Sequence, residues 1–175
     1  MSIKYFNALS YADTETLVKR VCEIIGHGGA GSRVDLMMEV IYWKSLNGAV
    51  RPLKHNRFGV AQLSAGAIKL VQNSQKEKTQ RCMQLLSREF YVDLIDVKPI
   101  ELELSPMLSI CFLGLISVNI TENIPLRRHY DGEPEGRAEF AVKYGSTEYC
   151  SSEVGRYLDT CKVLDDEAIK AKLLK

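Results

Sequence analysis

The sequence predicts a single, mainly α-helical domain with at most a small β element, on three observations. Apolar residues recur at helical spacing in most long segments of the chain, which is the pattern of helices with one buried face. The 175 residues are 46% hydrophobic and 26% charged, as in a soluble domain with its own core. No repeat, low-complexity tract or linker composition divides the chain, so we expect one domain over residues 1–175.

Two helices are predicted in the N-terminal part of the chain. The first runs from Asp13 to Ile25, with Asp13 or Thr14 as its candidate N-cap, and the glycine-rich segment 26–31 stops it. The second runs from Ser32, its candidate cap, to Lys44. Its apolar residues fall on one helical face and are expected in the core: Val34, Met37, Met38, Ile41 and Tyr42.

The remaining elements follow from turn residues and apolar spacing. A strand or extended turn begins at Phe58 and leads into a helix that starts near Ser64. The most apolar segment, 107–120, follows Ser105-Pro106 and is predicted to be the central buried helix. The other predicted helices span residues 75–95, 138–144, 151–164 and 166–174.

Composition and charge exclude several classes of function. The net charge of +1 gives no electrostatic argument for nucleic acid. No apolar run reaches the ~18 residues that a membrane span needs, and the N-terminus lacks the pattern of a secretion signal. We therefore expect synthesis in the cytoplasm, followed by retention there or by delivery through another route. The 5 cysteines are widely spaced, and those within apolar or helical patterns, Cys22, Cys82 and Cys111, are predicted to be buried free thiols. No metal or cofactor is expected.

The glycine-rich segment 26–31 fits the letters G-x-G-x-x-G, which is a dinucleotide-binding motif in another context. That motif follows a strand and precedes an acidic residue about 20 positions on. Here a helix precedes the glycines and the region around Arg51 is basic. The segment is therefore interpreted as a turn between two helices.

The segment Phe58-Gly59-Val60-Ala61-Gln62-Leu63-Ser64 carries the one informative motif. Gly59 to Gln62 resembles the G-L-M-Q motif of the lytic transglycosylases related to goose-type lysozyme. In that family a Glu-Ser pair ends a helix, and the glycine follows at a nearly fixed distance. Counting back fifteen residues, 59 − 15 = 44, reaches Lys44, with Ser45 in the serine position. Two weaker similarities lie downstream, at residues 138–145 (A-Y-N-A-G) and at Ser109-Ile110 with Gly114 (N-I-x-x-G).

The resemblance implies a lysozyme-like fold and, as ancestral reaction, non-hydrolytic cleavage of the MurNAc–GlcNAc β-1,4 bond of peptidoglycan. Lys44 would then occupy the position of the catalytic glutamate, and Tyr144 would orient the group there. The residues at the positions of the family's substrate contacts are Ser45, Gly59, Val60, Gln62 and Tyr144.

A lysine is a poor replacement for that glutamate. Cleavage requires an acid that protonates the leaving oxygen, and a lysine ammonium, with a reference pKa of ~10.4, is a weak acid at neutral pH. Glu39 is five residues away on the same helix, which rotates it by about 140°, so we expect it to face solvent or an arginine. The site as written is predicted to be inactive or severely impaired.

Three explanations of Lys44 stay open: a natural pseudoenzyme, an inactivating substitution in an active enzyme, or a wrong register. The first hypothesis of function is a peptidoglycan-directed, lysozyme-like protein whose partner is the glycan strand. The alternative is a non-catalytic structural or assembly protein on the same fold, with other virion or secretion-machinery proteins as partners. For either, a bacteriophage context is expected, with the protein associated with the virion or delivered to the cell wall.

Overall fold

The computed structural model describes residues 9–29, 31–50, 56–120, 124, 138–142 and 151–173. Over these ranges the chain is mainly helical with one two-stranded sheet, which confirms the predicted fold class. The helices are α1 (Tyr11–Ile24), α2 (Ser32–Ser45), α3 (Ala65–Gln72), α4 (Glu77–Phe90), α5 (Glu101–Leu104), α6 (Pro106–Val118), α7 (138–142) and α8 (Ser151–Leu173). The strands β1 (Arg57–Phe58) and β2 (Leu63–Ser64) pair antiparallel, with Phe58 opposite Leu63.

Helix α1 begins two residues earlier than the sequence predicts. The side chain of Ser10, and not that of Asp13, is the cap: its Oγ accepts the Asp13 backbone N–H at 3.2 Å. Asp13 lies in the first turn, where its negative charge interacts favourably with the positive end of the helix dipole. The helix ends where Gly26 takes a φ of +82°, and the glycines that follow form the predicted turn toward α2.

Helix α6 lies at the centre of the fold, as predicted. Ser105 caps it by accepting the Leu108 N–H at 3.3 Å, and Pro106 occupies its first turn. Five helices pack against it: α1, α2, α3, α4 and α5. A Cβ at Gly114 would lie 2.5 Å from Val21 Cγ1, so the absence of a side chain lets α1 approach closely.

The helix predicted over residues 75–95 is shorter and is followed by an extra one. Helix α4 ends at Phe90 because Tyr91 adopts a left-handed conformation with φ +53°, and the Val92 N–H donates to the Ser87 carbonyl at 3.1 Å. The short helix α5 then precedes α6 and was not predicted. Four residues are too few for a periodic signal.

The two helices predicted over residues 151–164 and 166–174 are one helix, α8. No glycine or proline separates them, and Asp165 and Asp166 are tolerated on its exposed face. Within the described ranges, no helix has the length and apolar character needed to cross a membrane.

Candidate functional site

The C-terminal end of α2 is fastened to the turn between β1 and β2. Ser45 is fully buried, and its hydroxyl donates to the Val60 carbonyl oxygen at 2.7 Å and accepts the Gly48 N–H at 2.9 Å. Leu46 ends the helix in a left-handed conformation with φ +46°. The contact joins Ser45 to Val60, the residues that directly follow Lys44 and Gly59 in the sequence.

The turn itself, Gly59 to Gln62, depends on its glycine for two reasons. Gly59 has a φ of +69°, a conformation that L side chains rarely adopt. A Cβ at this position would lie 2.6 Å from Ser109 Oγ and 2.8 Å from the Leu102 carbonyl oxygen. The Gln62 N–H closes the turn by donating to the Gly59 carbonyl at 2.9 Å.

Ser109 of α6 holds the opposite side of the same turn. It is fully buried, and its Oγ accepts the Ala61 N–H at 3.0 Å. The contact brings the segment at Ser109 together with the segment at Gly59. A small hydroxyl residue inside a mostly apolar helix is the sequence signal that Ser109 holds a neighbouring segment. The sequence alone did not lead us to predict its contact with Ala61.

Lys44 is half-buried and folds back onto its neighbour in sequence. Its Nζ lies 3.4 Å from the centroid of the Trp43 ring, which is a cation–π contact. Trp43 is only 2% exposed, so the indole belongs to the core and not to an open sugar-binding surface. This contact stabilises the ammonium form, which is too weak an acid at neutral pH to protonate a leaving oxygen efficiently.

Glu39 does not point to solvent or to an arginine, and that expectation was wrong. It is 1% exposed, and the Tyr157 hydroxyl of α8 donates to its Oε2. The helical phase that turns Glu39 away from Lys44 turns it toward α8, which covers this face of α2. A buried glutamate beside a phenol was not recognisable from the sequence, because nothing local indicated that α8 would pack there.

The residues that the resemblance predicts as substrate contacts differ in accessibility. Ser45, Gly59 and Val60 are buried, whereas Lys44 and Gln62 are half-buried. Gln62 is left-handed, with φ +47°, and its side-chain amide makes no hydrogen bond with the described part of the chain. Tyr144 lies outside the described residues, so its contact with position 44 stays a prediction.

The described residues form neither a metal site nor a reactive thiol site. No group of three or more His, Cys, Asp or Glu side chains there is placed to hold a metal ion. Cys22, Cys82 and Cys111 are buried free thiols, as predicted. Burial raises the pKa of Cys22 and of Cys111 to about 12, so both stay protonated and unreactive at neutral pH.

Comparisons of the chain with protein-family models, with curated proteins and with solved structures gave no match. The arrangement around Ser45, Gly59 and Ser109 is therefore the basis on which its function is inferred.

Proposed function

We propose that the chain is a lysozyme-like protein directed to the glycan strand of peptidoglycan, which it binds without cleaving. The hydrogen bond from Ser45 to the Val60 carbonyl carries the proposal. It joins the residue that follows Lys44 to the Gly59–Gln62 turn, which supports the alignment on which the resemblance rests. The Ser109–Ala61 contact supports the same alignment from a third segment.

The absence of cleavage follows from the group at position 44. Breaking the MurNAc–GlcNAc bond needs a carboxylic acid that donates a proton and then accepts one. Lys44 carries an ammonium on the face of Trp43, and its positive charge opposes the oxocarbenium-like transition state. Glu39 does not replace the missing acid, because α8 encloses it.

Glycan binding would use the half-buried edge of the turn. The Gln62 amide carries two donors and an acceptor, which suit sugar hydroxyls and N-acetyl groups. Its left-handed backbone is held by the hydrogen bond to Gly59 and by the buried Val60 and Ala61, each 1% exposed. Because the backbone of the turn is already fixed, binding has to order only the Gln62 side chain.

The test is co-sedimentation with purified, insoluble peptidoglycan. The wild-type protein is expected in the pellet, and Gln62→Ala is expected to shift toward the supernatant. Gln84→Ala is the matched control, because Gln84 is exposed on α4, away from the turn. Wild-type protein that stays in the supernatant, or equal sedimentation of Gln62→Ala and wild type, contradicts the proposal.

A second candidate is a structural or assembly protein built on the same scaffold. It is favoured by the burial of Ser45, Gly59 and Val60, which leaves little of the predicted sugar-contact set open. Its partners would be other virion or secretion-machinery proteins. Failure to sediment with peptidoglycan, together with no cleavage by wild type or by Lys44→Glu, favours this candidate.

A further inference from the structure

The starts of two helices and the end of a third are held together beside the glycine-rich turn. Helix α4 begins next to the end of α6, because the Thr79 hydroxyl donates to Asn119 Oδ1 at 3.3 Å. Arg33, in the first turn of α2, joins α2 to the same end of α6, since its guanidinium donates to the Ser117 carbonyl oxygen. His27 lies in the turn that connects α1 to α2. Side chains from three separate elements therefore meet in this region.

Three basic side chains of this region come close to one another: His27, Arg33, and Lys78 in the first turn of α4. His27 and Arg33 are half-buried, and Lys78 is exposed. Burial lowers the pKa of His27, and the positive charges of Arg33 and Lys78 lower it further. Burial also lowers the pKa of Arg33. The fold therefore holds two cations and an ionisable imidazole in an arrangement that electrostatic repulsion disfavours.

Among the described residues, no carboxylate is paired with these side chains. Three carboxylates belong to the same helix ends, and none of them forms an ion pair with Arg33 or Lys78: Glu23, Asp35 and Glu77. The Nε2 atom of His27 is buried and has no hydrogen-bond partner in the described part of the chain. A buried charge or polar atom without a partner costs free energy, and a bound anion would remove that cost.

The region has donors and space for such an anion. A guanidinium carries five N–H donors, and within the described ranges only the Ser117 carbonyl accepts from Arg33. Gly31 and Lys76, which precede α2 and α4, offer no side-chain acceptor to the first N–H groups of either helix. Both helix starts therefore add to the positive potential. A Cβ at Gly28 or Gly31 would meet no described atom within 4 Å, so the turn is open.

We propose that Arg33, His27 and Lys78 form a binding site for a phosphate group, which we name the anion site. The planar guanidinium of Arg33 binds phosphate oxygens, the protonated imidazole of His27 donates from Nε2, and Lys78 neutralises charge at the exposed edge. A phosphate dianion suits the site, because it brings two negative charges and several strong acceptor oxygens to three basic groups.

The anion site is distinct from the candidate site around the β1–β2 turn. Ser109, which holds that turn, and Ser117, which accepts from Arg33, are eight residues apart on α6, or about 12 Å along the helix. The anion site therefore does not depend on the proposed function, and each is tested without the other.

Isothermal titration calorimetry with inorganic phosphate, at constant ionic strength, tests the anion site. Arg33→Met keeps most of the alkyl chain and should weaken binding about tenfold or more, as expected for a hydrogen bond to a charged group. Lys78→Gln should weaken binding about two- to fivefold, because an exposed charge contributes less. Lys78→Gln also keeps the test valid if Arg33→Met, which loses the bond to Ser117, fails to fold.

The matched control is Lys172→Gln, the same change at an exposed lysine near the end of α8. Glu167, five residues earlier, acts on Tyr42 at the opposite end of α2 from Arg33, so Lys172 is remote from the anion site. The phosphate affinity of Lys172→Gln should equal that of wild type. Wild-type protein that binds no phosphate, or equal affinities in Lys78→Gln and Lys172→Gln, would overturn the proposal.

The same titration with glycerol phosphate identifies the source of the phosphate group. An affinity equal to or above that of inorganic phosphate assigns the anion site to a phosphate ester. A lower affinity assigns it to the free ion.

NMR titration of His27 provides a second measurement, with sulfate as the probe because it has the shape of phosphate and stays a dianion where histidine titrates. A bound dianion stabilises the protonated imidazole, so sulfate should raise the pKa of His27, which lies below 6.5 in the free protein. A pKa that sulfate leaves unchanged would overturn the proposal. So would a His27 pKa above 6.5 without sulfate, because a negative charge of the chain itself would then occupy the site.

Discussion

Replacing Gly59 by alanine is expected to destabilise the whole domain, because the added Cβ is unfavourable both for the backbone conformation and for the packing around it. The backbone at this position is left-handed, with φ +69°. The added Cβ would lie 2.6 Å from Ser109 Oγ and 2.8 Å from the Leu102 carbonyl. Neither neighbour yields easily, because Ser109 is fully buried in α6 and the other atom belongs to the backbone.

The size of the effect follows from these two contributions. A non-glycine residue in the left-handed region costs roughly 1–2 kcal/mol, and an overpacked core site typically costs about 1–3 kcal/mol. The free energy of unfolding should therefore fall by about 2–5 kcal/mol. For a chain of this length each kcal/mol lowers Tm by about 2–4 °C, so a decrease in Tm of about 10 °C is expected.

Thermal and urea unfolding followed by circular dichroism measure this change. Gly155→Ala is the control, because Gly155 is exposed inside α8 and a Cβ there has no neighbour within 4 Å. That substitution should stabilise the protein by about 0.5–1 kcal/mol, since alanine favours the helix. A Gly59→Ala protein within about 0.5 kcal/mol of wild type would refute the described packing of the turn.

Two further changes probe the same core. Ser45→Ala removes the hydroxyl that joins Gly48 and Val60, and should lower the free energy of urea unfolding by about 1–3 kcal/mol; an unchanged urea midpoint would contradict the contact. Alkaline pH should also destabilise the fold, because burial raises the pKa of Cys22 and Cys111 from 9.0 to about 12, so the folded state holds protons that the unfolded state releases. Between pH 9 and 12 each thiol therefore lowers the free energy of unfolding by about 1.4 kcal/mol per pH unit. In Cys22→Ala the free energy of unfolding should fall less steeply between pH 9.5 and 11, by that amount per pH unit. If the free energy of unfolding of Cys22→Ala and of wild type fell equally steeply with pH, the burial of the Cys22 thiol would be contradicted.

The helical content and the main core could be predicted because they depend on local signals. The apolar spacing of α2 correctly predicted that Val34, Met37 and Ile41 lie in the core. The pair Ser105-Pro106 correctly predicted where α6 begins. The helix boundaries were less accurate, because a left-handed residue such as Tyr91 has no distinct sequence signal. Long-range contacts decide such positions.

In the candidate site, too, some features could be predicted from the sequence and others could not. The spacing between Lys44 and Gly59 could be counted, and in the structure the residues that follow them, Ser45 and Val60, are in contact. The environment of Glu39 could not be predicted, because it depends on a helix more than 110 residues later in the chain. The stacking of Lys44 on Trp43 was also missed, since neighbouring residues on a helix do not usually face one another.

We propose that Lys44 stands at the catalytic position of a lysozyme-like site and abolishes cleavage. The most direct test incubates wild type, Lys44→Glu and Lys69→Glu with purified peptidoglycan and separates the soluble products by mass. Lys69 is an exposed lysine on α3, so its substitution controls for the change of charge. We predict no cleaved glycan from wild type or Lys69→Glu, and anhydro-muropeptides from Lys44→Glu alone. Efficient release of cleaved glycan by the wild-type protein would contradict the assignment of position 44.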